Sequence, residues 1–318
     1  MSRETKRTAS ELAQKQSLPL DAKIQMSNLR IREWYEYWGG DVYVSFSGGK
    51  DSTVVLNLVR NLYPDVPAVF VDTGLEYPEI RAFVKTIPNV IILRPEMNFK
   101  QVLETYGYPV VSKDVAGTIY YARNGSEWAK NRLRGISNDG QYSRWRASHY
   151  AKWEFLQCAP FNIGSRCCDI MKKKPIKKWE RETGRKPYLG IMACESARRM
   201  QGWLDTGCNS YEGDTQSSKP ISFWLEEDVL AYIQERKLSI ATVYGDITEG
   251  ENGRLMTTGV QRTGCMFCAF GAHLEKEPNR FQKMKQTHPK QYAYCMKSIA
   301  DGGLGFGNVL DYMRIPKE

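Results

Sequence analysis

The chain has 318 residues with 42% hydrophobic content, enough for the core of one α/β domain with substantial additions, and no apolar run reaches the length needed to cross a membrane. The formal net charge of +9 favours anionic partners, small or polymeric. The start, MSRETKRTAS, is polar and basic with no apolar segment behind it, which speaks against a secretory signal and predicts a cytoplasmic location. There the eight cysteines stay reduced and serve metals or chemistry rather than a disulfide framework.

In chain order, residues 21–38 repeat apolar side chains such as Ile24, Ile31 and Trp34 at near-helical intervals and stop before Gly39-Gly40, which predicts a helix. Val42, Val44 and Phe46 then alternate with Tyr43 and Ser45 as in a strand, and Val54, Val55, Leu58, Val59 and Leu62 return to helical spacing. SGGKDS joins the two. At a strand-to-helix junction, unpaired backbone N–H groups and the positive end of the helix dipole face outward, and Gly48 and Gly49 allow an anion close to the backbone. Ser47, Lys50, Asp51 and Ser52 crowd the same turn with hydroxyls, a cation and a carboxylate suited to a metal. The pattern predicts a phosphate cradle, against the plainer alternative of a Gly-Gly turn capped by Asp51 or Ser52. It is not a Walker A loop, whose lysine follows a longer glycine-framed stretch.

Further strands are predicted at 68–72 and 90–93, with helices at 52–62 and 78–86 between them, a rhythm that implies right-handed crossovers and a mainly parallel, doubly wound sheet. Ligands of such sheets lie beyond the carboxyl ends of the strands, where SGGKDS and the turn Asp72-Thr73-Gly74 would emerge. Residues 112–166 interleave Tyr120, Tyr121, Trp128, Tyr142 and Trp145 with Arg123, Arg132, Arg134, Arg144 and Arg146. This stretch reads as a basic aromatic insertion, either a polymer-binding surface or a helical appendage with an aromatic core. The chain returns to the sheet at 186–196, after which Arg198 and Arg199 offer a second anion site. Residues 219–238 continue as an apolar segment and a helix with Trp224, Val229, Ile233 and Leu238 in the core. The expected division is an N-terminal helical segment at 1–40, an α/β domain at 41–245 carrying the insertion, and a C-terminal extension at 246–318.

Among the cysteines, Cys167 and Cys168 are vicinal, and Cys265 and Cys268 form a C-x-x-C pair about a hundred residues later. Four thiolates suit zinc or an iron–sulfur cluster alike by count, and the vicinal pair favours the larger cluster. Cys158, Cys194, Cys208 and Cys295 match no ligand motif and are expected to be small buried hydrophobes.

SGGKDS resembles the PP-loop of the ATP pyrophosphatase superfamily, and PAVFVDTGLEYPEI at 67–80 is similar to the strand and DTG-x-x-x-P-E turn of its phosphoadenylyl-sulfate (PAPS) reductase branch. CCDIMKKKPIKKW resembles the CC-x-x-x-K-x-x-P segment of adenylyl-sulfate (APS) reductases. GIMACESARRM, PISFWLEEDVLAYI and TGCMFC resemble three more of their segments, in the same order, over roughly residues 24–270. The resemblance implies an adenine nucleotide held by Ser47, Gly48, Gly49, Lys50, Asp51, Ser52, Asp72, Thr73 and Gly74. It further implies Lys50, Asp51, Arg198 and Arg199 in catalysis, Mg²⁺ as cofactor, and a 4Fe–4S cluster on Cys167, Cys168, Cys265 and Cys268.

Two departures from the family pattern direct the functional expectation. The chain ends GFGNVLDYMRIPKE without the E-C-G-L-H segment that carries the reductases' nucleophilic cysteine, leaving Cys295 as the late cysteine. Its PP-loop is also intact where the reductases' loop is degraded. The expected activity is therefore ATP-dependent adenylation of an acceptor, with release of pyrophosphate, in the service of sulfur transfer. A nucleic acid is one acceptor, and a sulfur donor or thiol reductant protein is the implied partner. The alternatives are a thiol-dependent APS/PAPS reductase and a non-catalytic nucleotide-binding module. No membrane partner is expected, and whether the chain forms a homo-oligomer stays open.

Overall fold

Val42–Ser45, Ala68–Val71, Val90–Leu93 and Lys186–Leu189 form the parallel heart of a six-stranded sheet. The computed structural model describes residues 7–318 apart from 214 and 252. Across the sheet the strands run 90–93, 68–71, 42–45, 186–189, 217–218 and 209–210, and the last pair is antiparallel. The chain builds outward from 42–45 on one side and then returns to place 186–189 on its other side. The order of the sheet therefore reverses beside the first strand, the position at which doubly wound sheets open a crevice for ligands. SGGKDS leaves the sheet there.

The element types follow from the side chains. Ala68–Val71 is apolar throughout and buried throughout, as a strand covered on both faces must be. The helix Lys50–Leu62 buries Val54, Val55, Leu58 and Val59, and Leu20–Tyr37 adds Ile24, Ile31 and Trp34 to the same core. Trp224, Val229 and Ile233 join it as expected, the last two from the helix Glu226–Glu235. Within the expected return to the sheet at 186–196, the strand itself ends at Leu189. At Gly190 the backbone passes so close to the helix start that a Cβ would lie 3.0 Å from both Asp51 C and Ser52 N, and the chain then turns into a short 3₁₀ segment, Ala193–Glu195.

The chain forms two compact units whose boundaries differ from 1–40, 41–245 and 246–318. The first comprises residues up to Asp72, Glu76–Leu93 and Ile176–Thr263; the second comprises Thr73–Leu75, Arg94–Pro175 and Gly264–Glu318. The N-terminal helix belongs with the sheet because its apolar face is part of the sheet's core. The hairpin Ile247–Glu249 and Leu255–Thr257 is also in the first unit. Residues 112–166 are built into the second unit together with the C-terminal segment. Val110–Val111 pairs in parallel with Ala269–Phe270, Tyr108 Oη donates to Leu304 O (2.8 Å), and Phe99 stacks on Phe306.

Two of the cysteines expected to be buried, Cys158 and Cys194, are exposed, whereas Cys295 is fully buried in the helix Pro289–Met296. Among the described residues no helix is long and apolar enough to cross a membrane.

Candidate functional site

The SGGKDS turn is held in shape by its own hydroxyls. Gly48 takes φ +72°, and Gly49 serves as the N-cap of Lys50–Leu62 with no side-chain capping bond. Three loop N–H groups donate to hydroxyl oxygens: Ser47 N to Ser52 Oγ (3.2 Å), Gly49 N to Ser47 Oγ (3.3 Å) and Lys50 N to Tyr244 Oη (3.2 Å). Because these acceptors are rotatable hydroxyls, an incoming phosphate oxygen can take the N–H groups without breaking any backbone ladder. Lys50 is buried. Its ammonium donates to Gln261 O (2.7 Å), pairs with Glu226 (3.2 Å) and lies over the Tyr244 ring. In this arrangement Lys50 ties the 261–263 segment over the loop.

Asp51 stands differently. Its Oδ1 is buried with no hydrogen-bond partner. Burial pushes its carboxyl above the usual range; the Lys50, Arg262 and Arg199 cations oppose the shift and Glu226 adds to it. Arg199 and Arg262 both pair with Glu195, whose Oε2 also accepts from Met192 N (2.9 Å). The strand end at 190–199 and the SGGKDS loop, read as separate anion sites in the sequence, thus meet within one unit. Of the two adjacent arginines, Arg199 faces this site, and Arg198 is exposed. Cys194 is within electrostatic reach of both Asp51 and Arg199, with its thiol pushed up mainly by burial.

The DTG turn divides between the units. Asp72, at the end of 68–71, pairs with Arg81 (3.0 Å) in the first unit. Thr73 and Gly74 belong to the second, where Leu75 N donates to Thr73 Oγ1 (3.2 Å) and Gly74 takes φ +74°.

Cys167, Cys168, Cys265 and Cys268 all lie in the second unit, and Cys167 feels the charge of the other three. The two free thiols of the vicinal pair are hydrogen-bonded to each other, which together with burial pushes Cys167 up and, with Lys113 and Lys172 nearby, draws Cys168 down. Burial pushes Cys268 up, and Arg280 donates to Cys268 O (2.8 Å). Directly after the pair comes a π-helical turn, Asp169–Lys173, a distortion often found at functional sites. Val111, a β-branched residue held at φ +60°, precedes the cap of the helix that carries Lys113. Among the described residues no group of three or more His, Cys, Asp and Glu side chains is arranged to hold a metal ion. The donor set itself, four sulfurs flanked by Lys113, Lys172 and Arg280, has the chemistry of a site for a thiolate-ligated, negatively charged group.

Residues 41–112 match the model of the phosphoadenosine phosphosulfate reductase domain. A phosphoadenosine 5'-phosphosulfate reductase of Xanthomonas oryzae pv. oryzae is 26% identical over 226 residues, covering 69% of this chain and 74% of that protein. The chain is thus similar to PAPS reductases, through a domain match at 41–112 and over about two thirds of its length to the Xanthomonas protein. An uncharacterized protein of Methanocaldococcus jannaschii is 26% identical over 264 residues, 82% of this chain; the match spans 42% of that relative, less than half its length. The PAPS reductase of Candida auris, solved as a phosphate complex, is 14% identical with a TM-score of 0.40, over 75% of this chain and 91% of that one.

Sequence reading missed Tyr244, Glu226, Gln261, Arg262 and Thr263, which frame the SGGKDS loop from far along the chain. Glu226 and Thr263 lie inside the segments PISFWLEEDVLAYI and TGCMFC without standing out in them, and Tyr244, Gln261 and Arg262 lie outside every motif; the weak signal was the lone basic residue in VQRTGC. The geometry also separates the two loop glycines. A Cβ on Gly48 would lie 2.8 Å from methyl groups of both Ile80 and Val84 in the core. Gly48→Ala therefore combines left-handed backbone strain with overpacking and is expected to cost roughly 2–4 kcal/mol of stability together with loop geometry. Gly49 has an ordinary φ of −79°, and its Cβ would meet only hydroxyls at 3.2–3.3 Å, so Gly49→Ala is the cleaner probe of nucleotide approach. Thermal unfolding and nucleotide titration of the two variants check this; equal melting temperatures would contradict it.

Proposed function

We propose that this PAPS reductase-like chain uses ATP and Mg²⁺ to adenylate an acceptor for sulfur transfer. The observation that carries the reading is the unpartnered, buried Asp51 oxygen at the start of an uncapped helix, within reach of Arg199 and Arg262. Glu195 is engaged by two arginines and Glu226 by Lys50, whereas Asp51 Oδ1 is buried without a partner, which makes it the carboxylate oxygen best suited to take a cation here. One carboxylate plus phosphate oxygens is the usual way proteins hold Mg²⁺. Bound there, Mg²⁺ would neutralise phosphate charge. The loop N–H groups of Ser47, Gly49 and Lys50 would orient the β- and γ-phosphates, and Arg199 and Arg262 would stabilise the charge that develops as the bond breaks. An acceptor oxygen attacks the α-phosphorus, the bond to the β-phosphate oxygen breaks, and pyrophosphate leaves; the resulting AMP ester is then open to displacement by sulfur.

In this reading Cys167, Cys168, Cys265 and Cys268 would hold a 4Fe–4S cluster, which supplies thiolate-ligated iron for electron or sulfur handling. The name of the Xanthomonas relative favours a second reading, thiol-dependent reduction of a sulfonucleotide with release of sulfite. Against Cys295 as its nucleophile stands burial, which excludes water from the thiol and pushes its ionisation far up. Under the ATP reading, Cys295→Ser is expected to leave pyrophosphate release within about twofold of wild type. Sulfite production from APS or PAPS by the wild-type protein, lost in Cys295→Ser while ATP stays intact, would overturn it.

A further inference from the structure

Between residues 112 and 166 the sequence has nine lysines and arginines against four aspartates and glutamates, and the structure sorts them into two kinds. Arg123 is wholly structural: its guanidinium donates to the carbonyls of Leu156, Gln157, Ala159 and Phe161 at 2.7–3.0 Å. Arg146 likewise donates to Ile136 O and Asn138 Oδ1, both at 3.1 Å. Arg144 and Lys152 remain exposed.

The aromatic residues sort in the same way. Tyr150 is buried and anchors a row of side chains. The Arg132 guanidinium lies over both the Trp128 ring (5.1 Å) and the Tyr150 ring (4.4 Å) and is fixed by Asp114 at 3.1 Å. His149 packs edge-on to Tyr150 at 4.6 Å and lies parallel to Trp145 at 5.4 Å. The row Trp128, Arg132, Tyr150, His149 and Trp145 is therefore continuous. Its ends face solvent, Trp128 at 47% and Trp145 at 65% exposure, and Tyr142 nearby is 71% exposed.

Large flat rings left open to water while their orientation is fixed from beneath have little value for folding, since their burial is forgone. They match the faces of unpaired bases, which stack on aromatic and guanidinium planes, and the neighbouring cations match a phosphate backbone. A duplex hides its base faces, so it would use the cations alone. We propose that this face of the second unit binds single-stranded nucleic acid through Tyr142, Trp145 and Trp128, with Arg144 and Lys152 tracking the phosphates. The inference stands apart from the ATP reading, because none of these residues belongs to the nucleotide loop or its unit.

The test uses the full chain and fluorescence anisotropy with labelled oligothymidylate, the corresponding duplex and polyglutamate as an anionic polymer without bases. The single strand is expected to bind more tightly than either control. Tyr142→Ala with Trp145→Ala should weaken it by roughly 10–100-fold, while ATP titration and circular dichroism stay as in wild type. Tyr142→Phe with Trp145→Phe keeps the rings and should retain most of the binding. Arg144→Gln with Lys152→Gln should flatten the dependence of log affinity on log salt by about one unit or more. No binding at low salt, polyglutamate binding as tightly as the oligonucleotide, or full affinity in the folded double-alanine variant would each overturn the proposal. Loss of ATP binding in Asp51→Asn with oligonucleotide binding intact separates this question from the nucleotide site.

Discussion

Asp51→Asn is expected to weaken Mg²⁺-dependent ATP binding by roughly 100-fold or more and, at neutral pH, to make the fold more stable than wild type. Both effects have one source. The Asp51 carboxyl is raised above its ordinary value chiefly by burial, and one of its oxygens has no partner. A group whose ionisation is raised on folding contributes stability that is complete below its unfolded value and lost as pH climbs through the folded one. At neutral pH the wild-type fold therefore carries a desolvated negative charge, which the amide removes together with the anionic character that a cation at the loop requires. The stability gap between Asp51→Asn and wild type should open as pH rises from the acid range and close again as Asp51 takes up its proton. Melting curves across pH and calorimetric ATP titrations with and without Mg²⁺ measure the two halves separately. If the variant bound Mg²⁺ and ATP like wild type, the cation assignment would be wrong.

The second large effect is expected at the cysteines. Protein prepared without oxygen should be brown and carry about four irons and four acid-labile sulfides per chain. Cys168→Ser should remove most of both, because it removes one of the four sulfurs and breaks the vicinal pair. Cys268→Ser should do the same, since it removes one of the four sulfurs gathered in the second unit. Cys158→Ser and Cys194→Ser provide the contrast: both thiols are exposed, neither is among the four, and iron content should be unchanged. Elemental analysis and the visible spectrum decide the matter; stoichiometric zinc without labile sulfide would replace the cluster with a single-ion site.

What the sequence by itself determined is local. The alternation at 42–46, the apolar run at 68–71 and the helical spacing of Val54, Val55, Leu58 and Val59 depend on neighbours within a turn or two. They were legible, and with them the parallel sheet and the loop at its reversal point. The shape of the SGGKDS turn was legible for the same reason, since its hydroxyl and glycine geometry is completed mostly within six residues. Tertiary structure decided the rest. Tyr244, Gln261 and Arg262 reach the loop from about two hundred residues away and have no periodic or compositional mark. Between adjacent Arg198 and Arg199, only the 3₁₀ turn before them selects which one faces Glu195. The arginines of the insertion read alike as charge, yet Arg123 is fully engaged by four carbonyls while Arg144 faces water. The reason is general: a guanidinium's partners are main-chain oxygens whose positions exist only after helices have packed, so charge is written in the sequence and its availability is not.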